Sequence, residues 1–294
     1  MIIQHFDFKT PAIPPPEPNG WEQAWHGYYE MAKVETEERK KGYAEQDRTA
    51  HAQGQITEAE FERDVLLSVL SDIKKNTVTM FELGAGWGRM SLSLAGAIDH
   101  KVIPMAPSNY RCLAVEAEPA HYQWLLQHFE KQKIKGVAVK GAVGRKNGTC
   151  SFDVSQAADS CYGQGITPLF SKRGFPSLSN IRKFINKKTV KVPCFNVDSL
   201  IAEYKYPGVD IIDVDVQGAE HDVARGAFKS IEKGIIDYWI FGTHAPRLND
   251  DLKRYLSGKY DLVVDIYPNS FNRYQGFAPF QTHDGIQLYK RKGL

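Results

Sequence analysis

A carboxylate followed by three closely spaced glycines is the feature of this sequence with the clearest chemistry. Glu82 precedes Gly84, Gly86 and Gly88 in the stretch TMFELGAGWGRMSL, residues 79–92. The apolar residues before the glycines are typical of a buried strand, and the pattern after them is typical of a helix. Glycine lets the backbone adopt φ > 0 and approach a ligand closely. A strand, a glycine turn and a helix N-terminus together therefore indicate a nucleotide or nucleoside site.

The residues around the glycines favour one ligand. A dinucleotide-binding fingerprint reads G-x-G-x-x-G, and Arg89 stands where its third glycine would fall. A phosphate site has no obvious use for Glu82 at the strand end. A ligand with an ammonium and a sulfonium group does, because both groups are cations. The pattern therefore predicts S-adenosylmethionine (SAM) as the cofactor, against the alternative of an ordinary turn between a strand and a helix.

Further acidic residues end other apolar segments. Glu116 ends the segment RCLAVE, where a carboxylate can accept both ribose hydroxyls of an adenosine-containing ligand. Asp213 and Asp215 interrupt the apolar segment VDIIDVDV and share one face, because side chains two apart on a strand point the same way. We favour Asp215, which is nearer the strand end, as a site residue.

A histidine and a helical glutamate complete the candidate catalytic set. His244 ends the segment IIDYWIFGTH, and its imidazole suits a general base acting on a substrate hydroxyl. Its alternative role is a strand-end histidine bonded to backbone. Glu220 falls on the first turn of the next predicted helix, where it can face the cleft or favour the helix dipole. With Asp215 these residues could also hold a divalent metal, as in some O-methyltransferases, but we favour a site without metal.

The elements that position these residues alternate along the chain. Strands alternating with helices predict an α/β fold with a doubly wound, mostly parallel sheet, whose ligands bind at the carboxyl ends of the strands. The last two strands fit an antiparallel edge. The predicted strands lie near residues 78–83, 111–116, 136–143, 190–195, 209–216, 235–244, 260–267 and 285–290, and one helix is predicted over 218–231.

Residues 1–75 are predicted to form a proline-rich arm and a helical extension, and residues 76–294 the main domain. An amphipathic helix is expected over 21–47, from Trp21, Trp25, Tyr28 and Ala32 at helical spacing. A second helix is expected to begin at Thr57 with a capping box to Glu60; its apolar face comprises Phe61, Val65, Val69 and Ile73. The polar insertion 155–190 is too long for an ordinary connection, and we favour a substrate lid.

Bulk composition limits the range of functions. The net charge is +2, from 37 basic and 35 acidic residues, which gives no electrostatic case for nucleic acid or an anionic membrane surface. The four cysteines show no metal-binding spacing. The first residues do not read as a signal peptide, and no apolar run reaches the length of a membrane helix. We therefore expect a cytoplasmic protein.

Four motifs in order resemble the FkbM family of SAM-dependent methyltransferases over about residues 76–290. The first is ELGAGWGRMS, in which Gly84, Ala85, Gly88 and Ser91 match the family's D-V-G-A-N-x-G-x-x-S. The others are the E-A-E-P stretch from residue 116, A-V-G from residue 142 and I-D-V-D-V-Q-G-A-E over 212–220. Asp213 stands where the family usually has a lysine.

The resemblance implies a Rossmann-like, class I methyltransferase that O-methylates a sugar or natural-product hydroxyl. Glu82 and the glycine loop would hold the methionine end of SAM, the segment Glu116–Ala117 the ribose, and Ala142 with Val143 the adenine. The catalytic residues Asp215, Glu220 and His244 would face a small-molecule acceptor, and the N-terminal helices could mediate homo-oligomerisation. Two alternatives remain: an NAD(P)-dependent oxidoreductase, and a non-catalytic binding module with this fold.

Overall fold

The computed structural model describes residues 1–6, 21–24, 29–31, 37–103, 106–154 and 189–294. The strands are β1 (Trp21–Gln23), β2 (Tyr29–Met31), β3 (Thr77–Leu83), β4 (Asn109–Glu116), β5 (Gly136–Lys140), β6 (Ala142–Val143), β7 (Gly148–Asp153), β8 (Thr189–Phe195), β9 (Val209–Val214), β10 (Ile236–Thr243), β11 (Tyr260–Ile266), β12 (Phe271–Asn272), β13 (Phe280–Gln281) and β14 (Gly285–Arg291). The helices are α1 (Glu37–Ala52), α2 (Glu58–Asp72), α3 (Arg89–Asp99), α4 (Pro119–Gln132), α5 (Val197–Glu203), α6 (Glu220–Gly226), α7 (Phe228–Glu232) and α8 (Pro246–Leu256).

The central sheet has seven strands in the order β11-β14-β10-β9-β3-β4-β5. The neighbours from β10 to β5 run parallel, and β14 runs antiparallel to both β10 and β11. The chain order reverses at β3, which lies between β4 and β9, and such a switch point opens a crevice at the carboxyl ends of the strands. The prediction of a doubly wound, mostly parallel sheet is confirmed.

Alternate residues of the central strands enter two separate apolar layers. On β3, Val78 and Met80 belong to one buried cluster, whereas Phe81 and Leu83 belong to the other. Helices α2 and α3 contribute to the first layer and α5 to α8 to the second. A sheet buried on both faces explains why these strands read as nearly continuous apolar runs.

Helix α2 follows the predicted pattern. Thr57 is its N-cap, and the Thr57 and Glu60 side chains each bond the other's backbone amide in a capping box. The predicted apolar face is buried, with Phe61 fully inaccessible and stacked on Phe280. This helix therefore joins the N-terminal region to the main sheet.

The prediction of one helix over 21–47 is wrong. Strands β1 and β2 form an antiparallel hairpin there, and α1 begins only at Glu37. A few aromatic residues at helical spacing cannot exclude a hairpin whose pairing partners lie close in sequence. Trp25, Tyr28 and Ala32 lie outside the described residues, as does nearly all of the predicted lid.

Two other elements differ from the prediction. The third strand breaks at Gly141, where a Cβ atom would lie 2.6 Å from the Phe195 ring, and β6 pairs with β8 in a separate sheet. The helix predicted over 218–231 is divided at Ala227 into α6 and α7. The predicted antiparallel edge is confirmed, because β14 pairs antiparallel with the outermost strand β11 and also with β10. In the described parts of the chain, no helix has the length and apolarity to cross a membrane.

Candidate active site

A cleft of about 310 Å³ opens at the carboxyl ends of the central strands. It lies at the switch point, between the ends of β3, β4, β6, β9 and β10. The second turn of α2 and the first turn of α3 also border it. Its walls combine the glycine loop, apolar residues and an unusual number of carboxylates. Those carboxylates belong to Glu62, Glu82, Glu116, Glu118, Asp213 and Asp215.

The glycine loop depends on glycine for two separate reasons. Gly84, Gly86 and Gly88 have φ values of 85°, 56° and 95°, a region that L-residues adopt at a cost. A Cβ atom on Gly84 would lie 1.9 Å from the backbone oxygen of Asp215, so this turn packs directly on the end of β9. The Gly84 amide donates to the Val115 carbonyl, 3.0 Å away, which ties the loop to β4.

Glu82 anchors the helix that follows the loop. Its buried carboxylate accepts hydrogen bonds from the Met90 and Ser91 amides, each 2.9 Å long, at the N-terminus of α3. Burial raises the pKa of Glu82, and the amide bonds oppose that rise. The Ser91 hydroxyl is buried and has no hydrogen-bond partner among the described residues. Glu82 and Ser91 therefore hold the loop against the helix, and the Glu82 side chain also borders the cleft.

Glu116 connects the end of β4 to the glycine loop. One carboxylate oxygen accepts the Gly86 amide at 2.7 Å, and the other accepts the Glu118 amide at 2.6 Å. Burial raises the pKa of Glu116 to about 7, against the effect of those amides. Each carboxylate oxygen has a further lone pair. The side chain can thus accept hydroxyl groups from a ligand while it holds the loop.

The floor of the cleft brings several carboxyl groups close together. Asp213 is buried and pairs across the sheet with Glu82 in register. Burial, followed by the charges of Glu82 and Asp215, raises the pKa of Asp213 well above its usual value. The nearby Arg89 guanidinium forms an ion pair with Glu62 at 2.7 Å. A cationic ligand would relieve the repulsion between these carboxylates.

Asp215, Glu220 and His244 form a compact cluster beside the cleft. His244 Nδ1 lies 3.0 Å from Glu220 Oε1, and His244 Nε2 lies 3.2 Å from Asp215 Oδ1. Each residue offers one nitrogen or oxygen within 4.8 Å of the others. Asp284 Oδ1 approaches His244 Nε2 to 3.8 Å. Three carboxylates therefore surround one imidazole.

Strand register brings this cluster together. Thr243 pairs with Gly285 across β10 and β14, so the adjoining residues His244 and Asp284 lie side by side. The Glu58 carboxylate at the start of α2 accepts the Asp284 amide at 3.0 Å, which fixes the approach to β14. Asp284 comes from a part of the sequence that gives no motif, and only the antiparallel pairing of the sheet reveals its place.

Two backbone features position Asp215 and Glu220. The Asp215 carboxylate lies directly over Gly242 of β10, where a Cβ atom would be 3.6 Å from its carboxyl carbon, an ordinary van der Waals contact. Gln217 has a φ of 56°, which is unusual for a residue other than glycine, and its side-chain amide donates to Asp215 at 2.9 Å. The Gly218 amide donates to Glu220 Oε1 at the start of α6.

The carboxylates around His244 bear on its predicted role as a general base. Burial alone would lower the pKa of His244, but Asp215 and Glu220 outweigh it and raise the pKa to about 10. An imidazole that is already protonated at neutral pH cannot accept a proton. A role as general base therefore requires that His244 first lose its proton.

Most of the sequence-predicted site residues border one cleft. They are Glu82, Gly84, Ala85, Gly86, Glu116, Ala117, Ala142, Val143 and Asp215. Gly88, the N-cap of α3, faces Leu125, and Ser91 lies in the first turn of α3, so neither lines the cleft. Glu220 and His244 lie next to the cleft, in contact with each other and with Asp215. Lining residues that the sequence reasoning missed include Glu62, Trp87, Glu118, His121, Phe152 and Gly242. Of these, only Glu118 carried a signal, since it precedes the proline that opens α4.

The sheet order, the glycine loop and the position of the cleft define a Rossmann-like fold of the class I methyltransferase type. The model of the family described as "Methyltransferase FkbM domain" matches residues 100–261, more than half of the chain, and the chain belongs to this family. The predicted resemblance is thereby confirmed. The matched range includes Glu116, Asp215 and His244 and begins after the glycine loop.

One relative and two solved structures complete the comparison. A protein of Jannaschia sp. (strain CCS1) is 22% identical over 182 residues, and its name describes it as a methyltransferase. The matched region covers 62% of this chain and 61% of that protein. The precorrin-6y C5,15-methyltransferase of Geobacter metallireducens GS-15 is 11% identical, with a TM-score of 0.41, over 78% of this chain and 85% of that one. The METTL16 methyltransferase domain is 10% identical, with a TM-score of 0.42, over 78% and 66%. Scores this low add nothing to the assignment.

Proposed function

We propose that this protein is a SAM-dependent methyltransferase that acts on a hydroxyl group of a small molecule such as a sugar or natural product. The observation that carries the proposal is Glu116, a buried carboxylate that reaches the Gly86 amide from the end of β4. It lies in a cleft at the switch point of the sheet, where ligands of this fold class bind. The family membership supports methyl transfer, and the resemblance supports oxygen as the acceptor.

The residues of the cleft fit SAM in both shape and charge. The glycine turn lets the ligand approach the backbone, and Glu116 retains lone pairs for two ribose hydroxyls. Ala142 and Val143, with the Phe152 ring nearby in the lining, offer apolar walls to an adenine. Asp213 is buried in the lining, and a cation bound beside it would favour its ionised form.

When bound, SAM supplies a methyl group made electrophilic by its sulfonium. The chain's contribution is to hold an acceptor oxygen in line and to exclude water, because alignment accounts for much of the rate in such transfers. Asp215 is the group of the cluster best placed to meet an acceptor, since its side chain is 47% exposed and borders the cleft. Glu220 and His244 fix its position and charge from behind.

The carboxylates that line the cleft also limit which methyl acceptors can bind there. Carboxylates outnumber cationic groups in the lining, and a phosphate backbone would be repelled there. Hydroxyl groups of a neutral or cationic small molecule can instead donate hydrogen bonds to those carboxylates. This argument supports the prediction that nucleic acid is not the acceptor.

The test is a transfer assay with SAM that carries an isotopically labelled methyl group. The purified protein is incubated with a panel of glycosides, phenols and natural-product alcohols, and with an RNA pool. We expect label on an oxygen of one or more small molecules. Glu116→Ala should abolish transfer, and Glu203→Ala, at an exposed position on α5, should preserve it. Label on RNA, or on carbon or nitrogen alone, would contradict the proposed acceptor.

A further inference from the structure

The cluster beside the cleft holds more negative charge and more unused ligand atoms than a hydrogen-bonding network needs. The Glu220 side chain is completely buried, yet its Oε2 has no hydrogen-bond partner within the described residues. His244 Nε2 is likewise buried and makes no hydrogen bond there. A buried carboxylate oxygen left unpaired is costly, so an observed one calls for a missing partner.

The distance between His244 and Asp215 matches two neighbouring ligands of a divalent cation. Two neighbouring ligands at right angles on an octahedral ion, each bonded at about 2.1 Å, lie about 3.0 Å apart. His244 Nε2 and Asp215 Oδ1 are separated by 3.2 Å. Glu220 Oε1 is 3.0 Å from His244 Nδ1, and a carboxylate in that position typically orients a metal-binding imidazole.

We propose that Asp215, Glu220 and His244 bind a divalent metal ion at the side of the cleft. The ligand set of two carboxylates and one imidazole suits a first-row divalent ion such as Mn²⁺ better than Mg²⁺, which takes oxygen ligands. Glu220 contributes either directly or through the imidazole, and Asp284 is available as a further oxygen ligand from β14. The side chains of Asp215 and Asp284 are 47% and 42% exposed, so water or an acceptor oxygen can complete the coordination.

Such an ion gives His244 a different part in the reaction. As a metal ligand the imidazole is neutral, and the ion carries the positive charge that the three carboxylates favour. A hydroxyl coordinated to a divalent cation loses its proton more readily than a free one. Binding of the ion is independent of the cofactor, whereas its effect on methyl transfer rests on the proposed function.

The test is a Mn²⁺ titration of chelator-treated protein, followed by electron paramagnetic resonance. We expect one bound Mn²⁺ per chain, with a ¹⁴N modulation from the imidazole in pulsed spectra. Asp215→Asn should weaken binding at least about tenfold, and Glu220→Gln should do the same. Asp222→Asn is the matched control, because Asp222 lies on the same helix but faces solvent. His244→Gln should remove the nitrogen modulation.

Two readouts keep folding and cofactor binding separate from metal binding. Glu220→Gln changes a fully buried residue, so thermal unfolding of each variant is recorded, and Asp215→Asn carries the test if Glu220→Gln does not fold. S-adenosylhomocysteine (SAH) binding is measured on the same samples. SAH binding without Mn²⁺ binding, or Mn²⁺ binding that survives Asp215→Asn without the nitrogen modulation, overturns the metal site. Site-specific Mn²⁺ binding without SAH binding supports it and contradicts only the proposed function.

Discussion

The ionisation of Glu116 should control cofactor affinity. Burial raises the pKa of this carboxyl to about 7. Once protonated, the carboxyl loses its charge and one oxygen becomes a hydroxyl, so its hydrogen bonds from the Gly86 and Glu118 amides become weaker. Affinity for SAH should then follow the ionised fraction, which falls from about one half near pH 7 to about one hundredth near pH 5. The dissociation constant should therefore rise about fifty-fold over this interval.

The predicted loss of SAH affinity at acidic pH cannot be explained by unfolding, because Glu116 affects stability in the opposite direction. An acid whose pKa is raised by folding contributes stability that is fully present below its unfolded pKa, near 4.5, and is lost as the pH rises through about 7. As far as Glu116 is concerned, the fold is therefore more stable at acidic pH, where this carboxyl is protonated and where SAH should bind most weakly.

Calorimetric titration with SAH at several pH values between about 5 and 7 measures this dependence. Glu116→Gln should bind weakly throughout, with no comparable pH dependence, and should approach the wild-type affinity only at the acidic end. Glu203→Gln, at an exposed position, should follow the wild type. Wild-type and Glu116→Gln profiles that run parallel would refute the reasoning.

Three further predictions concern the framework around the site. Gly84→Ala places a Cβ atom 1.9 Å from a backbone oxygen, at a φ of 85°. It should lower the free energy of unfolding, measured with urea, by more than the roughly 1 kcal/mol that the positive φ alone costs a residue with a side chain. Gly258→Ala, with open space around it, should change that free energy by less than about 0.5 kcal/mol. Thr57→Ala removes the capping box of α2 and should cost about 1 kcal/mol by the same measurement, and Thr57→Ser should restore it. Phe61→Ala should lower the free energy of unfolding by about 3–5 kcal/mol because the ring is fully buried, whereas Phe228→Ala, at an exposed position, should change it little. Equal losses for Gly84 and Gly258, or for Phe61 and Phe228, would contradict this account of the loop and the core.

The sequence predicted the elements whose signals are local. The strand before Gly84 and the capping box at Thr57 each depend on a few neighbouring residues, and both are confirmed. The alternation of strands and helices was enough for the parallel sheet. Carboxylates at strand ends then had to meet at one edge, which placed Glu82, Glu116 and Asp215 around a common cleft.

Features that depend on contacts between residues far apart in the sequence could not be predicted from local patterns. The break at Gly141 arises because β8, some fifty residues later in the chain, approaches the backbone too closely for a side chain. Asp284 reaches His244 only through the antiparallel register of β14. The charge of His244 also escaped prediction, since a pKa depends on which carboxylates fold around the imidazole.

The most direct test of the central claim is calorimetric titration of the purified wild-type protein with SAH and, separately, with NADH. The account predicts stoichiometric binding of SAH that is lost in Glu116→Ala, and no binding of NADH. Binding of NADH in place of SAH would contradict the methyltransferase assignment and favour an oxidoreductase. Binding of neither ligand would contradict it as well and would leave a non-catalytic module with this fold.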